Sequence, residues 1–94
     1  MQKDLTKQNL GNIASNFKHI AMFLSAENWQ LKIPRVNKFI ADTKELALHV
    51  KIDSKNILKL FNNFCDRETF EDNKVAAEES LLLSVRFQNL ANIT

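Results

Sequence analysis

Apolar side chains recur along this chain at alternating intervals of three and four. Leu10, Ile13, Phe17, Ile20 and Leu24 share one helical face, and Ala14 and Ala21 widen the stripe. The spacing predicts a first helix over 5–25, with Asp4 as its cap. Gly11 falls inside it, where glycine costs about 1 kcal/mol relative to alanine. Either the helix starts after Gly11 or a neighbour packs close there. Ala26 to Ile33 reads as a loop and holds the single tryptophan, Trp29. Pro34 suits the first turn of a helix, where its missing N–H costs nothing.

Val36, Ile40, Thr43, Ala47 and Val50 continue the alternation, flanked by Phe39 and Leu46, and predict a second helix over 34–50. Asp53 or Ser54 caps a third, over 54–66, which carries Ile57, Leu58, Phe61, Phe64 and Cys65. Glu68, Glu71 and Asp72 stand where carboxylates offset the dipole of a fourth helix. That helix is expected over 70–92, with Ala76, Ser80, Leu83, Phe87 and Leu90 inward. One glycine and one proline are too few for the turns of a sheet. The expectation is a single all-α domain, an up-and-down antiparallel four-helix bundle. Its dry interior should hold Phe17, Ile40, Phe61 and Phe87 together.

The fourth helix breaks the one-sided pattern. Leu81, Leu82 and Leu83 are consecutive and point in three directions, and with Val85 they make the helix apolar around more than half its girth. Either this helix sits centrally, or Leu81, Leu82 and Val85 meet another chain. An exposed apolar patch of that kind marks an interface. Trp29 either caps the core or anchors a partner, and Lys32, Arg35 and Lys38 give a basic edge beside it. Leu81, Leu82, Val85, Trp29 and Arg35 are therefore the candidate protein-interface residues.

The segment from Asp42 to Phe61 has a second reading. With Thr43 as position one, Leu46, Ala47, Val50, Ile52, Ile57 and Leu60 take positions four, five, eight, ten, fifteen and eighteen. To that extent the segment resembles the helix-turn-helix family of DNA-binding proteins. Asp42 to Glu45 also reads as a capping box that would start a fresh helix. The resemblance implies that Ser54, Lys55, Asn56 and Lys59 face a duplex, with Lys51 near a phosphate. Lys51 stands at the turn position the family gives to glycine, and Leu58 stands where a base-facing residue is expected. The alternative is that the segment forms two legs of the bundle.

Charge adds a gradient to this picture. Residues 1–67 hold 11 Lys/Arg against 6 Asp/Glu, and residues 68–94 hold 2 against 5. The gradient fits either a nucleic-acid face or pairing between neighbouring helices. A lone cysteine, Cys65, cannot form an internal disulfide, and its phenylalanine neighbours suggest a buried, inert thiol. The first residues lack the apolar run of a signal peptide, and no stretch approaches a membrane span, so a cytoplasmic location is expected.

Familiar chemistry finds no footing. One glycine cannot build a phosphate-cradling loop. Cys65, His19 and His49 are too few for a zinc site without unorganised carboxylates. Glu45 and His49 form the one near-approach to a di-iron motif, which needs the pattern twice. Neither histidine is followed by the lysine-glycine of a phosphotransfer bundle. Glu78 and Glu79 are adjacent, so they point about 100° apart and cannot flank one bond. The expected function is a non-enzymatic protein-interaction module, an adaptor, inhibitor or regulatory subunit. It needs no cofactor, no metal and no membrane, and its partner is a protein, with self-association through the last helix as one form. A DNA-binding regulator is the alternative.

Overall fold

A computed structural model describes residues 5–94. Four α-helices form, at Thr6–Ser25 (α1), Ile33–Ala47 (α2), Lys55–Cys65 (α3) and Asn73–Ile93 (α4), and a short 3₁₀ turn over Trp29–Lys32 leads into α2. No strand occurs among the described residues, and the architecture is an all-α bundle. Asp4, the expected first cap, lies outside them. The other caps follow local chemistry. Ser54 precedes α3, and its hydroxyl accepts a hydrogen bond from the Ile57 amide at 3.3 Å. The Asp72 carboxylate accepts from the amides of Lys74 and Val75, both at 3.1 Å, and so satisfies two orphan donors of α4.

Three contacts fix how α1 and α4 run. Asn73, Ser80 and Ser84 donate to the carbonyls of Leu24, Phe17 and Ala14 respectively, so residue numbers fall along one helix as they rise along the other. The two are antiparallel and form the most intimate helix pair in the chain. Small residues make the approach feasible: Ala14, Ala21, Ala77, Ser80, Ser84 and Ala91 are all buried. The buried serines spend their hydroxyls on backbone carbonyls of the facing helix, so neither is left unsatisfied. Phe39 of α2 stacks near Phe23 and His19 of α1, while Asp42 to Leu46 flank Asn12 to Asn16, so α2 runs back along α1. Phe61 meets Phe87, while Arg67 just after α3 meets Glu79, so α3 is antiparallel to α4. The order is up, down, up, down.

Phe17 is the hub of the interior. It is fully buried, and its ring centroid lies 5.8 Å from Phe61, 5.7 Å from Phe64 and 5.8 Å from Phe87. Two of these contacts are edge-on and one is stacked, geometries that the ring quadrupole favours. Val36 and Ile40 of α2 belong to the same buried cluster. One dry core therefore joins all four helices, as the periodicity predicts.

Two boundaries differ from the sequence expectation by three residues. α2 stops at Ala47, yet Val50 still packs partly buried against the core from the turn that follows. α4 starts at Asn73 rather than residue 70, because Phe70 serves as a buried anchor in the connecting loop. Gly11 lies well inside α1, without positive φ, and a Cβ placed there would meet nothing within 4 Å. Both explanations that the sequence suggested for this glycine, a later helix start and a close neighbour, are therefore corrected. Gly11→Ala should stabilise the fold by about 0.5–1 kcal/mol, because it removes backbone entropy from the unfolded chain without a clash. A higher denaturation midpoint at unchanged slope is the expected readout.

Candidate interaction surface

α4 turns two apolar faces outward and inward at once. Ala76, Ser80, Leu83 and Phe87 point to the core. Leu81, Leu82 and Val85 remain 50%, 42% and 51% exposed, and Val75 and Ile93 extend the outer face toward the two ends. At 100° per residue this outer face spans about a third of the helix circumference and runs about 27 Å along it. Shallow grooves border it on both sides. One lies against α1 and is lined by Met22, Ala77 and Leu81 among others, with a volume of about 710 Å³. The other lies against α3, holds Leu60, Asn63 and Leu82, and has a volume of about 410 Å³. Three of the sequence-predicted interface residues, Leu81, Leu82 and Val85, thus share one surface.

The other two lie elsewhere. Trp29 is half-buried and packs against the core as an end cap, while Arg35 is exposed in the first turns of α2. Lys32 turns its Nζ to within 5.8 Å of the Phe23 ring centroid, so one cation of the basic edge already has an aromatic partner. The Asn73–Leu24 contact puts the Trp29 end of the bundle next to the start of α4. Leu81 is about 12 Å farther along the axis.

Sequence reasoning did not foresee a third surface. A cleft of about 720 Å³ opens between the end of α2 and α3, lined by Ala41, Leu48, Ile52, Leu58 and Phe61 among others. It exists because α2 and α3 hardly approach one another. The same observation bears on residues 42–61. A DNA-reading pair needs two helices that cross closely through a tight turn. Here α2 runs unbroken through Ala41 and Asp42, so no fresh helix starts at the capping-box sequence, and residues 48–54 separate it from α3. Ser54 is occupied as a cap, and Lys51 lies 3.8 Å from Asp53. Lys55, Asn56 and Lys59 are exposed on α3. The segment forms two bundle legs, and it lacks the compact crossing that the resemblance implies.

The titratable and polar groups near α3 are structural. Cys65 is buried, and burial pushes its thiol from an ordinary 9.0 up to about 12, with Lys44 lowering it slightly and Asp66 raising it. It stays protonated at neutral pH and makes a poor nucleophile. The folded thiol keeps its proton where the unfolded thiol loses it. Its contribution to stability is therefore complete below about pH 9 and is lost as pH rises toward 12. A thiol reagent at pH 8 should label Cys65 only as fast as the chain opens, and rapidly once urea is added.

The Arg67 guanidinium sits 5.0 Å from the Phe64 ring centroid and 5.6 Å from that of Phe70, and it pairs with Glu79 on α4. This clamp ties the 66–72 connection to the bundle. Its Nε is buried without a hydrogen-bond partner. His19 donates through Nδ1 to the Ser15 carbonyl at 2.8 Å while its ring stacks on Phe39. Among the described residues no three His, Cys, Asp or Glu side chains come together as a metal site. No helix among them is long and apolar enough to cross a membrane. Comparisons with protein-family models, curated proteins and solved structures give no match.

Proposed function

We propose that this chain is a non-enzymatic helical interaction module, an adaptor, inhibitor or regulatory subunit, that presents the outer face of α4 to a protein partner. One observation carries the reading. Leu81, Leu82 and Val85 stand about half exposed on a helix whose opposite face already supplies the core. Apolar side chains gathered on one outer face, bordered by grooves, are what a partner helix can cover. A rigid bundle contributes by holding these side chains in place before contact, so little ordering entropy is lost on binding.

The test separates interface from core. In Leu81→Asp/Val85→Asp, two carboxylates would have to be buried on association, so affinity for the partner or for a second copy should fall about a hundredfold or more. Both positions face water in the isolated chain, so its stability should change by less than about 1 kcal/mol. Size-exclusion chromatography with light scattering, alongside circular dichroism, reads both. Unfolding of the double variant would make these residues core. Salt-sensitive duplex binding that is lost in Lys55→Ala/Lys59→Ala would instead favour the nucleic-acid reading.

A further inference from the structure

We infer that the partner seated on the outer face of α4 is a second copy of this chain, packed antiparallel about a two-fold axis at Leu82. The inference rests on the interaction-surface reading above and names its occupant. Its basis is the placement of charge on that face. Glu78 and Arg86 are exposed and lie four residues before and four after Leu82. Steps of four keep all three on one side of the helix, each charge about 6 Å along the axis from the leucine.

Among the described residues no ion pair includes Glu78 or Arg86, although Lys18 of α1 lines the same groove as Glu78. Within its own helix Glu78 has Lys74 at the four-residue spacing, whereas Arg86 has only Leu82, Leu83, Asn89 and Leu90 at three and four. A two-fold axis through Leu82 sets Glu78 of each copy opposite Arg86 of the other, twice per dimer. The same register sets Val75 against Asn89, Glu79 against Val85 and Lys74 against Leu90, so no like charges meet. A parallel pairing would set Glu78 on Glu78 and Arg86 on Arg86. An isologous contact needs a self-complementary face, and only the antiparallel register makes this one so.

The experiment is sedimentation equilibrium of the full chain and its charge variants, with circular dichroism as a check on folding. Wild type should dimerise. Glu78→Arg and Arg86→Glu should each weaken the dimer by about tenfold or more, since two attractions become two repulsions. Glu78→Arg/Arg86→Glu restores opposite charges and should return affinity to within about threefold of wild type. An equimolar mixture of the two single variants should form a heterodimer more readily than either forms a homodimer. Single variants that dimerise like wild type, or a double variant that stays weak, would overturn the antiparallel register. A wild-type chain that stays monomeric at millimolar concentration would overturn the second copy as occupant. The Leu81/Val85 variant then decides separately whether this face serves a different protein.

Discussion

Phe17→Ala should lower the stability of the chain by about 3–5 kcal/mol, the largest effect expected of any single substitution. A domain of this length has a total stability of only about 5–14 kcal/mol. Its melting temperature should therefore drop by about 20 °C. The magnitude follows from position as well as size. Phe17 is fully buried and touches Phe61 and Phe64 of α3 and Phe87 of α4, so removing it opens a cavity where three helices meet. The facing backbones cannot collapse into it, because Ser80 and Ser84 already hold α4 against α1 through the carbonyls of Phe17 and Ala14. A loss below about 1 kcal/mol in urea denaturation would mean the hub is loosely packed. Leu81→Ala is the matched control: the same apolar class on the outer face of α4 should cost less than about 1 kcal/mol.

The second large effect is expected at the Arg67–Glu79 clamp. Glu79→Ala should cost about 1–2 kcal/mol, because it leaves a guanidinium with 23% of its side chain exposed against two aromatic rings and without a counter-charge. Lys44–Asp66, at 3.7 Å with both partners more than half exposed, sets the comparison. Pairs of that kind contribute about 0–1 kcal/mol, so Asp66→Ala should be nearly silent. Replacing both partners, as in Arg67→Met/Glu79→Met, should cost less than the sum of the two single changes, since no buried charge is stranded. Equal effects of Glu79→Ala and Asp66→Ala in thermal melts would contradict the role of the clamp.

The core was legible because helix periodicity and burial are the same physical fact seen twice. A side chain that recurs every three or four residues on one face must cover something. Phe17, Ile40, Phe61 and Phe87 each sat on such a stripe and occupy one interior. The cap at Ser54 was legible for a local reason, since a short oxygen-bearing side chain satisfies the first free amides, whereas Asp72 was read only as a dipole-offsetting carboxylate within a helix from residue 70 and is instead that helix's cap. Boundaries were harder. The alternation continues through Val50 although α2 stops at Ala47, because a residue in the turn can reach the same core as a residue in the helix. Phe70 shows the same limit: it is buried without being helical, held beside an arginine whose acidic partner is twelve residues away.

The outer surface was half legible. The leucine run announced that α4 has more apolar girth than one bundle face needs. Which of those residues lie outward required the position of α1 and α3, and these cover Leu83 while leaving Leu81, Leu82 and Val85 in water. The cleft between α2 and α3 had no sequence signal at all. Leu48 is a single off-stripe residue and Leu58 lies at the edge of the third helix's stripe, and only the separation of the two helices makes them neighbours of one cleft. The helix-turn-helix spacing was matched by residues that serve the bundle, as any amphipathic segment with a cap can match it.

The most direct test is a dilution series of ¹⁵N–¹H correlation spectra of the wild-type chain, from millimolar to micromolar. Shift changes confined to the outer positions of α4, centred on Leu82 and reaching Glu78 and Arg86, are the expected result. Changes centred on the cleft between Ala41 and Asn62 would contradict the account, and spectra that do not change with concentration would contradict a second copy as the occupant of this face.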